Sequence, residues 1–183
     1  VYSVHWCPDV SSSGPHGAPL VEAELDRRLP ERALMRSRDA DGMRRAWATL
    51  EHLWAQTVAR CRLLAPELLH ERVNGEWSVI ENLRHLSFAI DAWVRRAILL
   101  DPAPWHPLDL PHDEMPDSPP VPRDLTARPS FDEALDLHET RMVTVRQVLA
   151  TITDQRLGES TEPVLAPGYP EPISFPVVRC LGA

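Results

Sequence analysis

The stretch from Gly75 to Asp101, GEWSVIENLRHLSFAIDAWVRRAILLD, decides which fold the sequence predicts. Ser78 and Glu81 form an S-x-x-E capping box, in which the hydroxyl and the carboxylate satisfy free N–H groups of a first helical turn. Apolar residues then recur at steps of three or four, which places them on one face of an α-helix. They are Val79, Leu83, Leu86, Ile90, Trp93 and Ala97, with Ile80, Val94 and Ile98 widening the stripe. We therefore predict one amphipathic helix. The residues predicted to face solvent are Arg84, Asp91 and Arg95.

One histidine of this helix lies just beside the apolar stripe. His85 is about 100° around the helix from Leu86, next to Ala89 and Ala92, two small residues that leave room above an imidazole. This placement fits a metal ligand that points into a cavity between helices. It also fits a half-buried histidine that is hydrogen-bonded to a neighbour. On periodicity alone we favour the second interpretation.

Another long helix is predicted earlier in the chain, from near Asp39 or Asp41 to about Leu64. Its apolar seam has steps of three and four and consists of Met43, Trp47, Leu50, Trp54, Val58, Cys61 and Ala65. Two tryptophans on one seam indicate burial in a helical bundle. His52 is about 200° from Leu50 and is predicted to face solvent, whereas Cys61 is expected to be a small buried side chain.

The third long helix opens with a second capping box, from Ser130 to Glu133. Its seam consists of Phe131, Leu135, His138, Met142, Val145, Leu149 and Ile152. His138 therefore occupies a position where leucine would be expected, and a polar side chain there needs a partner. Metal ligation, an internal hydrogen bond and a position at the end of the bundle that reaches water are the three alternatives. We favour the last two.

The segment from Asp101 to Pro129 differs in kind, because nine prolines in 29 residues exclude a helix or a central strand. Loops of this length are uncommon inside a domain and often cover a site. A solvated crossover between two bundle helices is the alternative. The side chains in it that suit a metal or substrate contact are Trp105, His106, Asp109, His112, Asp113, Glu114 and Asp117.

The two ends of the chain differ from its middle. Residues 1–27 contain SSSGPHGAP without periodicity and are predicted to be a flexible N-terminal arm, leaving 28–183 as one domain. Near the other end, VVRCLGA begins an apolar stripe at Val177 and the sequence then stops. We therefore predict an incomplete fourth helix.

Composition excludes several classes of function. The net charge of −8 argues against a nucleic-acid partner. All 19 basic residues are arginine, which excludes lysine-dependent Schiff-base and P-loop chemistry. No apolar run approaches the ~20 residues needed to span a membrane, and no secretion signal is recognised at the start. The three cysteines match no zinc spacing. Because their number is odd and no secretion signal is recognised, we expect a cytoplasmic protein.

The GEWS element followed seven residues after its serine by His-Leu resembles the DinB superfamily, in particular its actinobacterial branch. Supporting similarity lies in RSRDADGMRRAWATLEHLW at 36–54, RPSFDEALDLHETR at 128–141 and GYPEPISFPVVRCL at 168–181. The resemblance covers roughly residues 28–183. It implies an all-α fold, a DinB-like four-helix bundle with a long Pro-rich crossover loop. In this family a divalent metal, often zinc or nickel, is held by three histidines.

Several relatives are thiol-dependent S-transferases that use mycothiol or bacillithiol. For this chain the resemblance implies a metal at His85, with His138 or a loop residue as an additional ligand, because the helix that normally brings the other histidines is incomplete. It further implies a low-molecular-weight thiol as co-substrate and a small-molecule substrate. Exposed seams would favour a homodimer. The alternatives are a non-catalytic bundle acting in oligomerisation or interaction, and an inactive truncated family member.

Overall fold

The computed structural model describes residues 27–28 and 39–182. Residues 39–182 lie in one compact unit. Most of the predicted N-terminal arm lies outside the described residues, so the boundary between 27 and 28 stays a prediction.

The described part of the chain is helical and contains no strand, apart from two isolated bridges between single residues, so the all-α prediction is confirmed. The long helices are α1 (Ala40–Cys61), α2 (Val79–Ile90) and α3 (Phe131–Thr151). A π-helical segment, Asp91–Ile98, continues directly from α2. The short elements are a 3₁₀ turn (Pro66–His70), α4 (Asp154–Leu157) and α5 (Val177–Cys180). None of the described helices is both long and apolar enough to cross a membrane.

Side-chain caps fix where the helices begin, and both predicted capping boxes are present. Ser78 Oγ accepts a hydrogen bond from Glu81 N at 3.2 Å, and the Glu81 carboxylate accepts one from Ser78 N at 2.8 Å. Ser130 and Glu133 repeat this arrangement at the start of α3. Because free N–H groups of the first turn are satisfied in this way, each helix starts where the sequence predicts.

Removing the buried cap should weaken the fold. We expect Ser78→Ala to lower the free energy of unfolding by about 1 kcal/mol, because one N–H of the first turn loses its acceptor. Urea unfolding followed by far-UV circular dichroism measures this change. Ser174→Ala, at an exposed position outside the helices, is the control and should be nearly neutral; equal losses in the two variants would contradict the capping role.

The prediction that Arg84 and Asp91 face solvent is wrong. Arg84 is 1% exposed and Asp91 is 0% exposed, because both side chains find polar partners in neighbouring segments. Leu86 was assigned to the apolar stripe, but it is 39% exposed. The regular helix also ends at Ile90, where the turns widen into the π-helical segment. Most of the predicted apolar face is therefore buried or half-buried, but the polar residues Arg84 and Asp91 beside it are buried as well.

Apolar side chains pack into three clusters that join the long helices to the loops. The first holds the start of α1, the end of α3, the π-helical segment and α5. The second holds the end of α1 and the starts of α2 and α3. The third, formed by Phe88, Ala92, Met115 and Val121, joins α2 and the π-helical segment to the Pro-rich loop.

The Pro-rich loop is held on α2 by a buried arginine. Arg84 donates hydrogen bonds to the carbonyl oxygens of Leu108 at 2.7 Å, Asp124 at 2.6 Å and Ala127 at 3.3 Å. Proline supplies a carbonyl but no N–H, so a Pro-rich loop has more acceptors than donors. A guanidinium carries five N–H donors and no acceptor, and it therefore matches this excess.

A second buried arginine, Arg96, holds the turn-rich segment before α5 in place by hydrogen bonds to carbonyl oxygens. Arg96 donates to the carbonyl oxygens of Pro102 at 2.7 Å and Val164 at 3.3 Å, and also to that of Ala166. It is 1% exposed. One side chain thus joins the π-helical segment to two loops that lie far apart in sequence.

Candidate functional site

His85 lies where α2 meets the Pro-rich loop. Its Nδ1 is 2.9 Å from the carbonyl oxygen of Leu110, and its ring packs edge-on against Trp77 with the ring centroids 4.7 Å apart. A carbonyl oxygen only accepts hydrogen bonds, so Nδ1 must carry the proton. In the neutral ring this leaves the lone pair on Nε2, which makes no hydrogen bond within residues 39–182.

The surroundings of His85 favour the neutral ring. Burial lowers the pKa of His85 below its usual value, and a positive charge on His112 would lower that pKa further. Burial also lowers the pKa of His112, which lies two residues after Leu110 in the loop. Both imidazoles are therefore neutral near pH 7, which is the form that binds metal ions.

An aromatic cluster connects the two histidines. The ring centroid of Phe88 is 6.1 Å from that of His85 and 5.9 Å from that of Tyr169. Tyr169 in turn is 5.8 Å from His112, and Trp105 stacks on Phe88 at 5.9 Å. The polar edges of the two imidazoles thus sit in a largely apolar environment that limits the access of water.

The predicted cleft beside His85 is only partly present. His85 is half-buried and hydrogen-bonded to a neighbour, and it does not line the cavity between the helices. The prediction that Ala92 leaves room for a ligand is wrong, because Ala92 packs in the cluster that contains Met115 and Val121 of the loop. Ala89 does line the cavity.

Residues 39–182 contain no group of three or more His, Cys, Asp or Glu side chains placed to hold a metal ion. Among these residues His85 has the orientation expected of a ligand, since metal-binding histidines usually donate their other ring N–H to a carbonyl or carboxylate. His112 is the neighbouring imidazole. His85 and His112 could therefore supply two ligands of a metal ion, and the remaining ligands would have to come from elsewhere.

His138 lies in a different environment, on α3 at the wall of a cavity of about 290 Å³. It is 4% exposed and packs edge-on against Trp54, with ring centroids 5.0 Å apart. Its Nδ1 is buried and has no hydrogen-bond partner among the described residues, so the expected internal hydrogen bond is not made there. Burial lowers the pKa of His138 to about 4, which keeps the ring neutral.

A buried charge cluster, which the sequence interpretation missed, lies next to the loop. Asp91, the first residue of the π-helical segment, forms ion pairs with Arg141 of α3 at 2.9 Å and with Arg95 at 3.0 Å. Arg95 also donates to the carbonyl oxygen of Pro104 at 2.8 Å. A carboxylate that is 0% exposed is stable only when such partners surround it.

A second carboxyl group, that of Asp109, contacts Asp91 in this cluster. One oxygen, Oδ2, accepts a hydrogen bond from His106 N at 2.8 Å, but Oδ1 is buried without a donor among the described residues. Burial and the neighbouring charge of Asp91 raise the pKa of Asp109 to about 7, although the His106 N–H opposes this. Two carboxylates repel each other, whereas a proton on Asp109 lets it donate to Asp91.

The sequence held a partial signal for this cluster. Asp91 and Arg95 are four residues apart, a spacing at which opposite charges meet on a helix. We interpreted that pair as a solvent-facing edge, because Arg141 and Asp109 lie 50 and 18 residues away and periodicity carries no information about such contacts. His112 was noted only as one of several polar loop residues.

The comparison with protein families agrees with this architecture. A family model described as the DinB superfamily matches residues 49–181, a range that includes His85, the Pro-rich loop and α3. No curated protein and no solved structure matches the chain.

Proposed function

Because the chain belongs to the DinB superfamily, we propose that it binds a divalent metal, zinc or nickel, at His85 and acts as a thiol-dependent S-transferase. The observation that carries the proposal is the hydrogen bond from His85 Nδ1 to the Leu110 carbonyl oxygen. This bond fixes the tautomer, with the proton on Nδ1 and the lone pair on Nε2.

His112 is the second proposed ligand. It follows Leu110 by two residues, so the loop that orients His85 also brings the neighbouring imidazole. Catalytic zinc sites use three protein ligands and leave one position open. Water, substrate or residues outside the described part of the chain would take the remaining positions. His138 as an additional ligand stays a prediction.

A metal held there would act as a Lewis acid that lowers the pKa of an incoming low-molecular-weight thiol, such as mycothiol, and presents it as a thiolate. The chain's own residues orient and shield that site. The Leu110 carbonyl oxygen holds the His85 ring, and Trp77 and Tyr169 border the two imidazoles.

The described cysteines support a reducing compartment, which we propose is the cytoplasm. Cys61 and Cys180 are free thiols, and both are buried. Burial raises the pKa of each thiol, so neither is activated as a nucleophile. The reacting thiol of the proposed transfer would therefore be the co-substrate and not Cys61 or Cys180.

Metal content after substitution of the two histidines tests the proposal. We expect the purified protein, loaded with Zn²⁺ or Co²⁺ and freed of excess metal, to retain the ion with a dissociation constant at least tenfold tighter than either His85→Ala or His112→Ala. Elemental analysis gives the stoichiometry, and the visible spectrum of the Co²⁺ form reports the number of nitrogen ligands.

His52→Ala is the matched control, because His52 is an exposed imidazole of α1 that is paired with Gln56. This variant should bind metal as the unsubstituted protein does. Far-UV circular dichroism establishes that each variant is folded. Equal metal retention in folded His85→Ala and in the unsubstituted protein would refute the proposed site.

A further inference from the structure

We propose that the cavity beside His138 is a binding site for a small, neutral, largely apolar molecule that carries one hydroxyl group. The cavity is bordered by α1, α2 with the π-helical segment, α3 and the end of α5. His85 does not line it, so this site is separate from the proposed metal site and stands independently of it.

The wall of the cavity selects for an uncharged, apolar ligand. Its fifteen lining residues include no aspartate, glutamate or arginine, and most are aliphatic or aromatic. They include Trp47, Trp54, Ala89, Trp93 and Met142. An ion that entered would lose its hydration without gaining a partner of opposite charge, whereas an aromatic ring would pack against tryptophan and methionine.

The volume of the cavity sets the size of the ligand. At about 290 Å³ it is roughly twice the ~150 Å³ of an apolar cavity that holds one benzene molecule. A two-ring aromatic compound of the naphthalene class therefore fits.

The wall contains three buried polar atoms without a hydrogen-bond partner among the described residues, namely His138 Nδ1 and the indole Nε1 atoms of Trp47 and Trp54. Of these side chains, the His138 ring is the one that can also accept a hydrogen bond. His138 is 4% exposed, and its Nδ1 is buried and has no hydrogen-bond partner among the described residues. The other ring nitrogen, Nε2, also makes no hydrogen bond within residues 39–182, and we assign it as the group that a ligand reaches. A hydroxyl group both donates and accepts, so it satisfies Nε2 in either tautomer of the neutral ring, whereas a carbonyl satisfies only the protonated nitrogen.

The mouth of the cavity is apolar as well. Leu50 is 50% exposed, Leu53 is 55% exposed and Leu86 is 39% exposed, and all three line the cavity. Such a patch is expected at a site that receives an apolar molecule. A helix of a second copy of the chain is the competing occupant, and the experiment separates the two.

Calorimetric titration with three matched probes tests the proposal. We expect 2-naphthol to bind saturably at one site. Naphthalene lacks the hydroxyl and should bind about two- to tenfold more weakly, because it leaves Nε2 without a partner. 2-Naphthoate carries a charge at neutral pH and should show no binding.

Two variants assign the binding to this cavity. Ala89→Phe fills the space and should abolish 2-naphthol binding, whereas Ala55→Phe, at an exposed position of α1 outside the lining, should not change it. His138→Leu keeps an apolar wall and should still bind, but with equal affinity for 2-naphthol and naphthalene. Circular dichroism of all three variants, and metal retention of Ala89→Phe and Ala55→Phe, are measured in parallel, and both should stay as in the unsubstituted protein.

Failure of 2-naphthol to bind, or binding that persists in folded Ala89→Phe, would overturn the proposal. So would sedimentation that shows a dimer which excludes 2-naphthol, because a second copy of the chain would then occupy the patch. A chain that binds 2-naphthol as a monomer supports the small-molecule site.

Discussion

Replacement of Arg84 by alanine is expected to lower the free energy of unfolding by about 3–5 kcal/mol, a large share of the ~5–15 kcal/mol typical of a domain. Arg84 is 1% exposed and donates to the carbonyl oxygens of Leu108, Asp124 and Ala127. The substitution leaves these partly buried carbonyls without the guanidinium donors. A fully buried group that loses its partner costs about 1–3 kcal/mol. Urea unfolding at equilibrium measures the loss.

Two further variants make this prediction specific. Arg84→Lys keeps the positive charge but loses the fork of donors, so we expect an intermediate loss. Arg60→Ala removes an exposed arginine of α1 and should change stability by less than about 0.5 kcal/mol. If Arg84→Lys is as stable as the unsubstituted protein, the charge and not the three hydrogen bonds anchors the loop, and our account of this anchor is wrong.

Replacement of Asp109 by asparagine is expected to stabilise the protein by about 2–4 kcal/mol at about pH 8 and to leave stability nearly unchanged below about pH 4. Asparagine keeps an oxygen for the His106 N–H and adds an NH₂ donor toward Asp91. It carries no charge that has to be buried beside that carboxylate. Urea unfolding across this range of pH measures the difference between the two proteins.

The direction follows from the raised pKa of Asp109, about 7 in the fold against 3.8 for an ordinary aspartate. A group with a raised folded pKa contributes stability at low pH, and this contribution is lost as the pH rises toward the folded value. The charged groups that act on Asp109 are Asp91 of the π-helical segment and Arg141 of α3. Arg95 pairs with Asp91, and the backbone N–H of His106 donates to Asp109 Oδ2.

Asp113→Asn is the matched control, because Asp113 belongs to the same loop and is exposed. It should not reproduce the pH-dependent gain. If Asp109→Asn destabilises the protein at high pH, Asp109 is a carboxylate that the fold needs in its charged form, and the shared-proton arrangement with Asp91 would be excluded.

Local signals in the sequence predicted the helices well. The capping boxes at Ser78 and Ser130 fix the starts of α2 and α3 by contacts between residues three apart, and such contacts can be recognised in sequence. The start of α5 at Val177 coincides with the predicted start of an apolar stripe. Family membership was predicted from one helix start and one His-Leu pair.

What the sequence did not predict depends on contacts between distant segments. Arg84 and Asp91 look like solvent-facing residues on a helical wheel, but their partners lie in the Pro-rich loop and in α3. Periodicity distinguishes apolar from polar residues and cannot tell an exposed charge from one that is buried with partners. The same limit kept a cavity-facing His85 open as an interpretation, whereas the structure shows His85 hydrogen-bonded to the loop and His138 lining the cavity.

The use of arginine in place of lysine throughout the chain is consistent with the way the loops are held. Arg84 and Arg96 each donate to three carbonyl oxygens, from loops in which prolines supply no N–H groups. A lysine ammonium has three donors on one atom, whereas a guanidinium presents five donors spread over a planar fork. The arginine-only composition therefore suits a fold whose long loops are rich in proline.

The ¹⁵N chemical shifts of the His85 imidazole test most directly the central claim, which is that His85 binds a metal ion through Nε2. In ¹⁵N NMR spectra of the metal-free protein near pH 7, we predict a protonated Nδ1 and an unprotonated Nε2, and addition of Zn²⁺ should shift Nε2 while Nδ1 keeps its proton. A ring that is protonated on Nε2 without metal, or nitrogen shifts that do not respond to Zn²⁺ in the folded protein, would contradict the proposed metal site.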